Sequence, residues 1–414
     1  MPPRIEELAE HINTNTQKVS QYLESHSLPQ PSFDEDGPVD LQINSQEVDN
    51  ARREAINNCY ELLDLLQGPK ALVRPVANAT SAQAIHRYDI PAKVPLGREI
   101  SFKDLAEKCG LHEPDLRRII RFAITYHRLF QEKRDGFVSH SATSRWLAEN
   151  PVAMDGVGLI HDTFYRSFAW TVDALQQFDD QEPNQTGFCL AHNTDEGLFS
   201  YLASRPEDAK RFGGAMKSFT ADIPGNSPSF LINGYPWESL GPATVVDVGG
   251  SQAQIAIMLA EAFPKLNLIV MDLPDVLRHA QVPEHLSNRI QLHGHDFFEK
   301  QSTVADVYFF RWIFHDWPDK YMIKILRQLV PVLRPGARII VNDSICPGPN
   351  TVPYDVERTI RGVDMVMLSL HNSREREKGE WEPLFKAADP RFGALKFYHP
   401  QGASLSIIES IWQA

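Results

Sequence analysis

The stretch TVVDVGGSQAQIAIMLAEAFPKLNLIVMDLPDVL, residues 244–277, restricts the fold of this chain more than any other. A five-residue apolar run, 244–248, turns on Gly249 and Gly250 into a helical pattern and returns through residues 268–271 to an acid, Asp272. That order is a β-turn-α-β unit. A buried strand, a glycine turn that lets backbone approach a ligand, and a carboxylate ending the next strand together make a nucleotide-type pocket. Asp272 can accept both ribose hydroxyls of an adenosine. Its place, about 20 residues past the glycines, is also that of a dinucleotide fold, so the unit alone leaves the cofactor open. The turn itself reads Gly249-Gly250-Ser251-Gln252-Ala253-Gln254, not the G-x-G-x-x-G that a pyrophosphate needs, which argues against NAD.

Beyond this unit the pattern continues as alternating short apolar runs and helices. Strands are expected at 244–248, 268–271, 290–292, 307–310 and 338–342, which predicts a parallel, doubly wound, Rossmann-like α/β sheet. Residues 394–399 and 404–410 flank the turn PQGA and read as an antiparallel hairpin on the sheet edge. Open sheets of this kind bind ligands beyond the carboxyl ends of their strands. That rule nominates Asp247, Asp272, Asp296, Arg311 and Asp343.

The chain before residue 237 is organised differently. Residues 1–30 and 48–66 carry helical spacing and are separated by a polar, proline-bearing stretch. Residues 100–147 read as a helix-turn-helix followed by a wing. Arg117, Arg118 and Arg121 on its second helix admit a DNA-reading role, but a net charge of -13 works against binding phosphate backbones. The favoured reading is a scaffold that pairs two subunits. The domain boundaries are therefore 1–150, an N-terminal helical and winged-helix dimerisation domain; 151–236, an aromatic-rich helical connector contributing to an acceptor pocket; and 237–414, the cofactor-binding catalytic domain. Within the connector, His161 and Asp162 interrupt the apolar pattern, so His161 is a candidate substrate contact. Four scattered cysteines suit reduced thiols in a cytoplasmic protein. No signal-type apolar core and no run of about 18 apolar residues argue against a membrane partner.

Several strand-end residues fit one ligand. Asp296 could accept from an adenine amino group while Phe297 stacks on the base. Asp247 could hold an amino group, and Trp312 could meet a sulfonium by cation-π attraction. These roles suit S-adenosylmethionine better than a nucleotide phosphate. His293-x-His295-Asp296 invites a metal reading, but no further ligand set has metal spacing, so no metal is expected. The strongest signal is RWIFHDW, residues 311–317, where His315 stands after a buried strand at the mouth of the sheet. Imidazole titrates near pH 7 without tuning and can take a phenol proton there, with a carboxylate partner fixing its tautomer. The alternative is a capping or buried histidine.

The set VVDVGG, VMDLP, GHDFF, RWIFHDW, LRPGARIIVND and NSRERE…LFKAAD resembles the S-adenosylmethionine-dependent O-methyltransferases typified by plant caffeate and flavonoid enzymes, and most closely their fungal branch. The resemblance covers nearly the whole chain and implies a homodimer acting on a hydroxylated aromatic or polyketide-type secondary metabolite. It implies His315 as general base, with Asp343 and Glu375 as the acids that hold it. It places Asp272 with Leu273 at the ribose, Asp296 and Phe297 at the adenine, Arg311 and Trp312 along the cofactor, and Asp247, Gly249 and Gly250 in the cofactor turn. Met367 and Asn372 match helix positions lining the acceptor pocket. Where the family has G-G-G-x-G, this chain has Ser251 and Ala253. A Cβ at 253 demands negative φ there unless the backbone is strained, with cofactor affinity at stake. The same fold also serves fungal pericyclases that bind the cofactor without consuming it, and these are the rival reading.

Overall fold

The structure is a computed structural model that describes residues 3–72, 78–278, 280–349 and 351–413. It divides into two compact units, Met1–Asp162 with Pro353–Asp355, and Thr163–Val352 with Val356–Ala414.

In the first unit two long helices, Arg4–Ser25 and Gln46–Gln67, pack along each other. Their inner positions, Leu8, Leu23, Ala51 and Ala55, are buried, and the small alanines allow close approach. Helices Phe102–Cys109 and Glu113–His127 follow, with a three-stranded sheet in the order β1 (Ile100–Ser101), β3 (Phe137–Ser139), β2 (Gln131–Arg134). Ser101 caps the first of these helices by accepting from the Asp104 N–H, and Gly110 ends it in the left-handed conformation. Leu105, Leu116, Ile120 and Phe130 fill the core beneath. The three arginines on the second helix all face acids: Arg117 lies 2.6 Å from Glu113, Arg121 2.8 Å from Glu132, and Arg118 3.5 Å from Asp115.

The second unit is built on a seven-stranded sheet. Its strands are β4 (Ala243–Val248), β5 (Leu266–Asp272), β6 (Ile290–Gly294), β7 (Val307–Arg311), β8 (Arg338–Asp343), β9 (Lys396–Tyr398) and β10 (Ser406–Ile411), ordered β6-β5-β4-β7-β8-β10-β9. The first five in this order are parallel. The last two pair antiparallel, with β10 against both β8 and β9. The doubly wound sheet and its edge hairpin stand as expected; the parallel strands reach one or two residues past an end of their apolar runs, while β9 is shorter than the expected 394–399 and β10 starts two residues later than expected. Val307, Tyr308, Phe309 and Phe310 are buried on both faces, which explains why that run does not alternate. One face packs under Phe314, Met322, Trp381 and Phe385, the other under Trp237, Ala256, Leu259 and Ala260.

Candidate active site

From β4 the chain winds through β5 to β6 on one side, and then through β7 to β8 on the other. Loops leaving the carboxyl ends of β4 and β7 must therefore diverge, and a crevice opens between them. The glycine turn fills one side of it. The N–H groups of Gly249 and Gly250 both donate to the Met271 carbonyl, at 2.7 and 3.1 Å. Gly249 sits at φ 73°, and a Cβ there would lie 2.4 Å from Ile313 Cδ1. A Cβ on Gly250 would lie 2.7 Å from both Asp247 Oδ2 and Val270 Cγ1. Neither position admits a side chain without displacing its neighbours.

Ala253 takes the strained branch: it adopts φ 67°, ψ 13° at the start of helix Gln254–Ala262. Ser251 is also left-handed, at φ 51°. The turn keeps the geometry that glycines normally supply because Ala253 donates to the Gly250 carbonyl at 3.0 Å and is wholly buried among Val270, Ala256 and their neighbours. The methyl group costs about 1–2 kcal/mol of backbone strain without changing the path of the chain.

Two acids border this turn. Asp272 accepts from the Ser251 N–H at 2.9 Å and the Leu273 N–H at 2.7 Å, leaving further lone pairs on both oxygens. Burial raises its pKa. Asp247 is buried, and its Oδ2 has no hydrogen-bond partner among the described residues. Burial, then the Asp272 charge, push its carboxyl up to about 7. A buried unpaired carboxylate oxygen costs free energy unless a donor arrives. Glycines stripped of Cβ, an orphan acid and a second acid with free lone pairs fit the amino and ribose groups of S-adenosylmethionine. Phe297 belongs to the same wall, 3.9 Å from where a Gly249 Cβ would stand. Asp296 is exposed and caps its own turn through the Phe298 N–H, at 2.8 Å, while the Leu273 side chain is exposed.

His315 occupies the other side, in the short helical turn Phe314–Asp316 that follows β7. Its Nδ1 lies 2.8 Å from Glu375 Oε1. Its Nε2 faces Asp316 Oδ1 at 3.6 Å. Burial pulls the imidazolium down, but the Asp316, Glu375 and Asp343 charges outweigh it and raise the pKa to about 10. The untuned imidazole expected from sequence is therefore replaced by one biased toward its charged form. Burial in turn raises Asp316 to about 7 and Asp343 to about 6. Glu375 alone of the two expected acids bonds the ring. Asp343 instead accepts from the Phe314 N–H through Oδ2 at 3.2 Å, fixing the turn that carries His315. Its Oδ1 has no hydrogen-bond partner among the described residues.

Between the two sides lies Arg311, whose guanidinium donates to Asn342 Oδ1 and to the Asn226 carbonyl, and stacks 4.6 Å from the Trp312 ring. Burial lowers its pKa to about 10 against the opposing pull of Asp343 and Asp247. Met367 is buried on helix Tyr354–His371. Asn372, just past that helix, donates through Nδ2 to the carbonyls of Asp180, Glu182 and Gln185, at 3.2, 3.4 and 3.2 Å. Its amide fastens a loop. His161 lies in the first unit, in a π-helical turn, Leu159–Phe164, its ring 6.4 Å from that of His127. Burial depresses it to about 4. Its neighbour Asp162 pairs with His86 and Arg87, not with His161.

Sequence reading assigns no role to Asp316 or His371, yet both join the His315 group. His371 Nε2 lies 3.4 Å from Asp316 Oδ1. Asp316 is visible in the RWIFHDW run, but the return of residue 371 to it is purely tertiary. Among the described residues, no group of three or more His, Cys, Asp or Glu could hold a metal ion, and no helix is long and apolar enough to cross a membrane.

Sheet order, glycine turn and a histidine held by acids define a methyltransferase-type site. Residues 173–390 match the O-methyltransferase domain family. The grayanic acid biosynthesis cluster O-methyltransferase of Cladonia grayi is 50% identical over 417 residues, covering 100% of this chain and 89% of that protein. Among solved structures, OxaC in complex with sinefungin and meleagrin superposes with TM-score 0.78 at 21% identity, covering 98% and 99% of the two chains. A structure described as a pericyclic reaction enzyme gives 0.73 at 22%, covering 98% and 100%. The chain belongs to the O-methyltransferase family. It is an enzyme, a methyltransferase, and its cofactor is S-adenosylmethionine.

Proposed function

We propose that this enzyme methylates a hydroxyl of an aromatic, polyketide-type secondary metabolite, with His315 as general base. The observation that carries the reading is the Nδ1 contact of His315 with Glu375 at 2.8 Å, which leaves Nε2 as the nitrogen able to face an acceptor. Bound S-adenosylmethionine supplies an electrophilic methyl carbon. Asp247 and Asp272 would hold its amino and ribose groups, with Phe297 against the base. Nε2 of His315 would take the acceptor hydroxyl proton as that O–H bond breaks, leaving the oxygen to bond to the methyl carbon that the cofactor would supply. Glu375 fixes the tautomer and stabilises the imidazolium so formed. Asp343 holds the His315 turn in place. Met367 and Asn372 are proposed acceptor-side residues, Asn372 acting through the loop it fastens.

Because three acids raise His315, the free-base fraction grows with pH, and methyl transfer should accelerate through neutrality. The test uses labelled S-adenosylmethionine and a panel of phenolic polyketides. Label in a product supports transfer, and His315→Ala should lower turnover at least ~100-fold, the usual consequence of losing a general base. Normal turnover by that variant would remove His315 from the reaction. The rival reading, a pericyclase, draws on the likeness of fold to the pericyclic reaction enzyme. The His315–Glu375 pair favours transfer, since a rearrangement needs no hydroxyl base, and a rearranged product of unchanged mass would reverse that preference. A homodimer accords with Leu63 and Leu66 on helix Gln46–Gln67, which stand 51% and 67% exposed in the single chain. A monomeric sedimentation coefficient would dispose of it. The four free cysteines suit a cytoplasmic setting.

A further inference from the structure

The acid that holds the His315 ring is followed at once by a cation that the proposed reaction leaves unused. Arg376 is 1% exposed, and each nitrogen of its guanidinium is engaged. Nη1 donates to the Phe314 carbonyl and Nη2 to the Trp317 carbonyl, both at 2.7 Å, while Nε donates to Asp319 Oδ1 at 2.9 Å. His315 and Asp316 are the residues between those two carbonyls, so one planar fork spans the turn that carries the imidazole. The start of the turn is tied from another side by Asp343, which accepts from the Phe314 N–H. Arg376 is itself anchored: its own carbonyl accepts from the Cys346 N–H at 2.9 Å, and its guanidinium lies 5.8 Å from the centre of the buried Trp381 ring. A buried guanidinium is costly unless all its donors are met, and here the backbone of a single turn meets most of them.

We propose that Arg376 is a positioning residue for methyl transfer: its fork fixes the turn from Phe314 to Trp317, so that Nε2 of His315 points at the acceptor hydroxyl. The inference rests on the reading of His315 as base. Glu375 sets the plane of the ring through Nδ1, and Arg376 sets the peptide from which the ring hangs. Because the two residues are adjacent, ring and backbone share one anchor. With the fork removed, the turn is free to rotate while the Nδ1 contact persists, and Nε2, on the far side of the ring, swings away from the acceptor. The guanidinium is committed to protein groups, so Arg376 acts through His315 and not on the acceptor itself.

The experiment uses full-length protein, labelled S-adenosylmethionine and a phenolic polyketide that the panel above shows to be methylated. Single-turnover rates are expressed per cofactor-binding site, counted by calorimetric titration, so that unfolded protein does not enter the comparison. Arg376→Lys keeps a positive charge beside Asp319 but offers one compact ammonium where two carbonyls need a fork. We expect its rate to fall about tenfold, inside the ~100-fold that a 1 Å misplacement can cost, with affinity for S-adenosylmethionine as in the parent. Added to His315→Ala, the same substitution should change the residual rate by less than about twofold, because the group it positions is gone. Arg376→Met, whose unbranched stem still packs against Trp381, should show the same pattern and serves if the lysine variant folds poorly. A parental rate in Arg376→Lys, or an equal fold loss with and without His315, overturns the positioning role and leaves His315 as base. Normal turnover by His315→Ala overturns both.

Discussion

The two walls of the crevice are made in opposite ways. The cofactor wall comes mostly from one continuous stretch: Asp247, Gly249, Gly250, Ala253 and Asp272 lie within 26 residues, and their bonds are largely to neighbouring backbone. The proton-transfer wall draws residues 315, 316, 343, 371 and 375 from three separate parts of the sequence, and apart from Asp343, which accepts from the Phe314 N–H, they meet side chain to side chain. Among the described residues both walls leave carboxylate oxygens unpaired, Asp247 Oδ2 in the first and Asp343 Oδ1 with Glu375 Oε2 in the second. In the second, burial is offset by mutual charge, so that an imidazole is pushed up by the acids around it while burial pushes up Asp316 and Asp343. Local geometry suits a ligand that arrives preformed. A long-range cluster suits a proton that must be shared and then passed on.

If the walls are separable, substitutions in each should move different quantities. The largest expected effect after loss of His315 itself is Glu375→Gln, which keeps the shape but removes the charge at Nδ1. We expect turnover to fall ~100-fold with S-adenosylmethionine affinity unchanged, as for a disabled base-orienting group. A matching loss of cofactor affinity in calorimetry would merge the two walls into one.

Asp247→Asn should do the reverse, weakening cofactor binding ~10- to 100-fold through loss of a charge-assisted hydrogen bond. It should also stabilise the ligand-free protein. The Asp247 carboxyl ionises near its ordinary 3.8 when unfolded but only at about 7 when folded. Between those values the folded state holds a proton that the unfolded state has lost, so stability falls as pH rises through that window. Asparagine removes that fall. The gain in melting temperature should therefore be absent at pH 3.5, grow toward pH 7 and level off above it. A gain independent of pH would contradict the assignment.

The smallest effect expected is Ala253→Gly. It releases about 1 kcal/mol of left-handed strain and should raise the denaturation midpoint of the second unit without altering turnover. A destabilised variant would mean that the buried methyl contributes more by packing than it costs in backbone strain.

This contrast also governs what the sequence discloses. Short apolar runs marked the strands of the large sheet to within one or two residues because parallel strands are buried on both faces. Gly249, Gly250 and Asp272 were legible because their spacing is local. His315 could be singled out from the motif around it, and Glu375 only through the family resemblance, since 60 residues separate the two. The resemblance sets Asn372 at the acceptor pocket but is silent on its amide, which donates to the carbonyls of a loop nearly 190 residues earlier, a pairing that no periodicity encodes. At Ala253 residue type leaves a choice between negative φ and strain, and the surrounding hydrogen bonds and core select the strained conformation.

The central claim is that an imidazole raised by its acidic neighbours takes the acceptor proton, and the pH dependence of single-turnover methyl transfer tests it most directly. The account predicts a rate that climbs tenfold per pH unit below the His315 pKa and flattens above it, with no such limb in His315→Ala. A parent enzyme whose rate is level from pH 6 to 10 would contradict it.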